Sequence, residues 1–139
     1  VAIKPELISA LQSEFGSEMI FGVKDSTGNL EGTLELLKNK EIMVAVGDER
    51  TLADAMFHGA SGAICGMSNV FPRELTEVIK TKTHNAMVNK MTNLIVKAPV
   101  TAGVKALLAI KSDEKSWMTV RQPLEVSPQA HQSLLRKLL

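Results

Sequence analysis

The 139-residue sequence contains no tyrosine and a single cysteine, Cys65. One cysteine excludes an internal disulfide framework and a cysteine-rich zinc site, and it suits a reducing compartment. An excess of one charge is also lacking. With 16 basic side chains against 15 acidic ones, a net charge of +1 offers no field to hold nucleic acid or an anionic membrane. No apolar run approaches the ~18 residues of a membrane span, and the opening Val1-Ala2-Ile3-Lys4-Pro5 lacks the basic-then-apolar layout of a signal peptide. The expectation is a soluble, cytoplasmic protein. What the chain has in quantity is apolar: 45% of its residues are hydrophobic, enough for the core of one ordinary domain.

The apolar residues are ordered in a repeating way. Pro5 opens a short helix with Leu7, Ile8 and Leu11 on one stripe, closed by Gly16. An apolar run over 19–24 reads as a buried strand ending in the turn Asp25-Ser26-Thr27-Gly28-Asn29, and Asn29 is placed to cap a helix carrying Leu30, Leu34 and Leu37. The unit repeats. Residues 42–46 form a second strand, Gly47-Asp48 the turn, and Leu52, Ala55 and Met56 the inner face of a helix that Gly59 closes. Residues 62–65 give a third, shorter strand, after which Pro72 opens a helix with Leu75, Val78 and Ile79 inward. Strands without polar alternation, each followed by an amphipathic helix, indicate parallel βαβ construction with right-handed crossovers. Beyond Lys80 the strand signal stops. Met87, Met91, Leu94 and Ile95 make one helical stripe and Val104, Leu107 and Leu108 another, while Ser127-Pro128 is expected to cap a last helix with Leu134, Leu135 and Leu138. The division is therefore a βα part over 1–82 and a helical part over 83–139, with an irregular stretch over 112–126.

Lys24 closes a strand that is otherwise wholly apolar. Alternation puts Ile20, Gly22 and Lys24 on one face and Phe21, Val23 and Asp25 on the other, and Gly22 leaves room beneath the lysine for its stem or a ligand. An ammonium held among apolar groups loses hydration, so part of it becomes the neutral amine that attacks a ketone. Position alone leaves two readings open, a solvated strand end and a Schiff-base lysine.

The surrounding residues separate them. Gly22-Val23-Lys24-Asp25-Ser26-Thr27-Gly28-Asn29, then Val46-Gly47-Asp48-Glu49, then the run from Gly59-Ala60-Ser61-Gly62-Ala63-Ile64-Cys65-Gly66 to Asn69-Val70-Phe71-Pro72, resemble in order and spacing the dihydrodipicolinate synthase and N-acetylneuraminate lyase family of class I, pyruvate-dependent aldolases. The resemblance implies an α/β fold, the C-terminal part of a TIM (β/α)8 barrel followed by a helical region. It implies that Lys24 ends the sixth strand and forms an imine with pyruvate or a 2-keto acid. Gly47 would then follow the seventh strand and let backbone approach the ligand, and Ile64 of the eighth would supply an apolar wall and backbone groups. Barrel sites lie where strands end and loops begin, which agrees with all three positions. The implied partners are pyruvate or a 2-keto acid and an aldehyde, with no metal or organic cofactor and with assembly as a homo-oligomer, often a tetramer.

The other candidates fit plainer roles. Asp25 reads as an outward-facing turn residue, Asp48 and Glu49 as charges at a helix start, and Cys65 as a small core residue. His58, His84 and His131 lack ligand spacing and suit surface or capping positions, and the helical methionines fill core space. The family's Tyr-Asn-x-Pro-type proton-transfer motif and its Gly-x-x-Gly-Glu and Thr-Thr-type carboxylate-binding region have no counterpart here. The chain is thus expected to be the C-terminal part of a longer enzyme, inactive and not a stable monomer by itself. Val120-Arg121-Gln122-Pro123-Leu124 is similar to an Arg-x-Pro-Leu segment of the synthase and inclines the reading to that activity over a 2-keto-3-deoxy sugar acid aldolase or N-acetylneuraminate lyase. Readings of another class are a non-catalytic complementing fragment or interaction module, and a small doubly wound ligand-binding domain.

Overall fold

The computed structural model describes residues 3–139. The chain divides into two compact units, one built from the residues up to Cys65 with Ile79–Thr83, the other from Gly66–Val78 with His84–Leu139.

In the first unit the order is α1 (Pro5–Phe15), β1 (Gly22–Asp25), α2 (Leu30–Leu36), β2 (Met43–Val46), α3 (Glu49–Phe57) and β3 (Gly62–Ala63). The strands form one parallel sheet in the order β1-β2-β3, with Lys24 opposite Ala45 and Ala45 opposite Gly62. These strands follow one another in strict sequence, with no reversal of strand order and hence no switch point among them. β1 begins later than the apolar run suggests. The amides of Met19 and Ile20 are bonded to the carbonyl of Gly16, which holds that end of the run in a turn, and pairing starts where Phe21 accepts from Met43 N.

Local chemistry explains the helix starts. Asn29 accepts from Gly32 N at the head of α2, and Asp48 accepts from Arg50 N at the head of α3, each satisfying an amide that the first turn leaves free. The Asp48 carboxylate also receives the Arg50 guanidinium; that hydrogen bond outweighs partial burial and holds the carboxyl below its ordinary value. α2 and α3 pack on one face of the sheet. Val44 and Val46 lie fully buried beneath them, together with Leu36, Leu37, Leu52, Ala53 and Ala55.

The second unit contains most of α4 (Pro72–Thr81), then α5 (Ala86–Ile95), α6 (Val100–Ser112) and α7 (Gln129–Arg136). Its core joins Met67, Val88, Met91, Ile95, Leu107 and Leu135. Gly103 allows the close approach: a Cβ there would lie 3.0 Å from Ile95 Cδ1 and 3.2 Å from His131 Cε1. Three expectations are corrected in this unit. Ser127 does not cap α7 but bonds His131 Nδ1 at 2.8 Å, and His131 is buried rather than on the surface. Its Nε2 meets the carbonyl oxygen of Leu94 at 3.1 Å, a group that only accepts, so Nε2 carries a proton and donates. Leu134, expected inward, is exposed. Among the described residues no helix is long and apolar enough to cross a membrane.

Candidate active site

The face of the sheet away from α2 and α3 carries Gly22, Lys24, Met43, Ala45, Gly62 and Ile64. It forms a concave surface of about 410 Å³ to which Phe21 also contributes. Met43 is 52% and Ile64 58% exposed, against 0% for Val44 one residue from Met43. Period-two alternation thus separates a covered face from an open one, and Lys24 stands on the open one.

Lys24 sits at the carboxyl end of β1, with only the small side of Ala45 and then Gly62 beside it across the sheet. Its stem has lateral room. The lysine is exposed, so the apolar enclosure anticipated for it is not supplied by the described residues of this chain. Gly22 also has a different local reason. A Cβ there would come within 2.6 Å of Met43 O and 3.2 Å of Met43 Cβ, so the glycine permits close contact with β2 rather than leaving vacant space.

Ile64 shares the concave surface with Lys24, and its amide continues the ladder by donating to Val46 O at 2.9 Å. Gly47 does not line that surface. It donates to Asp25 O at 2.7 Å, and a Cβ on it would lie 2.9 Å from Ser26 Cβ and closer still to Ser26 Oγ. Gly28 makes the reciprocal approach, since its Cβ would meet Asp48 Oδ2 at 2.6 Å at a φ of +67°. The two glycines therefore lock the turns after β1 and β2 together at the strand ends, directly behind the lysine in sequence.

Asp25 is the residue whose part the sequence reading understates. It points away from Lys24 as expected, yet it is buried rather than a solvated turn residue. Its carboxylate accepts from Thr33 Oγ1 at 2.7 Å and from Thr27 N at 2.9 Å, tying the end of β1 to the turn and to α2. Burial pushes the carboxyl up, but the bonds from Thr33 and Thr27 together outweigh it and hold it below the usual value. No spacing signal marks this link: Asp25 and Thr33 meet only once the turn has closed. Cys65 is half-buried, His58 ends α3, and His84 is exposed. Among the described residues no group of three or more His, Cys, Asp or Glu could hold a metal ion.

Successive parallel βα units, with a lysine and glycine-locked turns at their carboxyl ends, define an α/β protein, and sites in such folds are built at the carboxyl ends of the strands. A model of the dihydrodipicolinate synthetase family matches residues 1–139, and the chain belongs to that family. It is 32% identical over 102 residues to the 4-hydroxy-tetrahydrodipicolinate synthase of Cytophaga hutchinsonii, covering 66% of this chain and 34% of that one. A 2-dehydro-3-deoxy-D-gluconate/2-dehydro-3-deoxy-phosphogluconate aldolase of Picrophilus torridus is 38% identical over 69 residues, covering 48% of this chain and 25% of the relative. Among solved structures, dihydrodipicolinate synthase from Agrobacterium tumefaciens strain C58 superposes with a TM-score of 0.92 at 30% identity, over 99% of this chain and 48% of that one. The chain spans about half the length of that synthase.

Proposed function

We propose that this chain is the lysine-bearing part of a Schiff-base lyase or synthase that handles pyruvate or a related 2-keto acid. The observation that carries the reading is Lys24 at the carboxyl end of β1, on the open face, with only Ala45 and Gly62 beside it. In this reading the Lys24 amine adds to the ketone carbon and the ketone oxygen leaves as water, giving an imine. The imine draws electrons from the adjacent carbon, which loses a proton to become an enamine and then attacks an aldehyde carbon; hydrolysis of the new imine returns the amine. Read backwards, the same steps cleave a 2-keto acid to pyruvate and an aldehyde. Ile64 forms an apolar wall, and Gly47 acts through the turn it locks.

The remainder of the reading follows from family resemblance. Residues 1–82 would belong to a (β/α)8 barrel and 83–139 to its C-terminal helical region, with the other strands, the proton-transferring tyrosine and the carboxylate-binding residues outside this chain. Completion of the barrel would enclose the open face and supply the desolvation that Lys24 lacks here. The chain alone is then inactive, because an amine without a proton relay and a carboxylate clamp has neither orientation nor general acid–base help. Arg121 to Leu124 and the similarity to synthases favour condensation with an aldehyde; the aldolase relative supports cleavage of a 2-keto-3-deoxy sugar acid as the second substrate class. The exposed apolar side chains of Phe21, Met43 and Ile64 favour one further reading, a complementing fragment that serves only as an interaction module.

Borohydride reduction of the completed protein with pyruvate, followed by peptide mass spectrometry, separates these readings. A reduced pyruvyl adduct on Lys24 is expected. Its absence from a completed, folded protein overturns the enzyme reading and leaves the module. An aldehyde panel then assigns the second substrate, and light scattering gives the state of assembly, for which a homo-oligomer is expected.

A further inference from the structure

The second unit holds a concavity that none of this chemistry uses. Trp117, the one tryptophan of the chain, lies in a short 3-10 turn over Lys115–Met118 and is 45% exposed against the side of α6. The concavity beside it has a volume of about 270 Å³ and is walled by Val104 and Leu108, with Thr101, Lys105 and Asn69 as its polar members. That size is close to the lower end of small-molecule sites.

Lys105 gives the space its charge. Its Nζ stands 5.6 Å from the centroid of the Trp117 ring, over the electron-rich face that attracts a cation. Among the described residues no carboxylate pairs with it, and no Asp or Glu lines the cavity. The ammonium brings three donors, the Thr101 hydroxyl one more, and Asn69, whose Nδ2 donates to Gly66 O at 3.0 Å, keeps its amide oxygen as an acceptor. A half-buried cation with no counter-ion beside an indole and two aliphatic walls is complementary to one kind of molecule. Its anionic end meets the ammonium, and its flat, apolar body lies between the indole and the valine and leucine.

We propose that this cavity is a binding site for a small organic carboxylate with a flat, apolar body, separate from the lysine chemistry of the first unit. Benzoate is the probe. The chain has no tyrosine and no second tryptophan, so its indole emission comes from Trp117 alone. Benzoate is expected to change that emission saturably. Benzamide, equal in shape but uncharged, should bind about tenfold more weakly, as should benzoate to Lys105→Met. Lys105→Arg keeps the charge and should bind benzoate within about threefold of the parent. Absence of a saturable change in the parent overturns the site. Equal affinity for benzoate and benzamide in the parent also overturns it, by reducing the effect to apolar adsorption, and this comparison depends on no variant folding. Lys24→Ala should leave benzoate binding unchanged, so failure of the pyruvate adduct and failure of this site are distinct results.

Discussion

The two faces of the three-stranded sheet are made of the same backbone and serve opposite ends. Under α2 and α3, Val44, Val46 and Asp25 are removed from water, and the Asp25 carboxylate has Thr33 and Thr27 as partners; on the other side Lys24, Met43 and Ile64 remain in contact with solvent. Burial of a valine or leucine side chain contributes about 1.5–3 kcal/mol, so the covered face carries the stability of the unit. The open face carries almost none of it, and for that reason is free to hold an amine. Buried and exposed positions are separated here by a single step along the strand, because side-chain direction reverses at each residue.

Substitution tests this separation most sharply at its extremes. Lys24→Arg in the completed enzyme should remove the borohydride-trapped adduct and lower turnover at least about a thousandfold, since a guanidinium stays protonated and cannot attack a ketone. Urea midpoints of the same variant should stay within about 0.5 kcal/mol of the parent; a large loss of stability would mean that the open face also bears structural load. On the covered face the order is inverted. Leu52→Ala, at a site with 0% exposure, should cost about 2–5 kcal/mol in urea unfolding followed by far-UV circular dichroism at fixed protein concentration. A cost below about 1 kcal/mol would show that α3 is not what seals that face.

At the strand ends, where the faces meet the turns, effects should be intermediate. Gly47→Ala forces a Cβ to within 2.9 Å of Ser26 Cβ and should cost roughly 1–3 kcal/mol. If Gly47 instead served the ligand alone, stability would hold and only substrate affinity would fall. Asp25 adds a pH dependence of known sign. Its folded carboxyl sits below the ordinary value of 3.8, so its contribution is fully present above that value and is lost as pH falls through the folded one. Asp25→Asn should be less stable than the parent by roughly 1–3 kcal/mol at neutral pH, and the gap should close on acidification below about pH 4. A gap that is constant with pH would mean that the charge is not what Thr33 and Thr27 hold.

These sites also mark how far residue order reveals structure. The strands and their helices were legible because apolar runs and three- and four-residue stripes are local, and Asn29 and Asp48 because a cap needs only its own first turn. Lys24 was legible as a polar end on an apolar strand, and its neighbours gave the family. The rest depended on approach between segments distant along the chain. Gly22 against Met43, Gly47 against Ser26, and Asp25 with Thr33 are contacts of closure. His131 is the clearest case, since its partners are Leu94 on α5 and Ser127 in the segment before α7, and nothing in the local pattern predicts its burial.

The smallest expected effect gives the most direct reading of the two faces. Met43 and Val44 are adjacent on β2, 52% and 0% exposed. Val44→Ala removes two methyl groups from a packed site and should cost about 1–3 kcal/mol in this chain, whereas Met43→Ala should change its stability by less than about 0.5 kcal/mol. In a completed barrel the open face is enclosed, and the same methionine substitution becomes a core truncation worth about 2–5 kcal/mol. Measuring Met43→Ala in both settings therefore reports whether anything covers the open face. If its cost is equally small in the completed protein, Lys24 has no enclosing wall there, and the desolvation that would make it a nucleophile is missing.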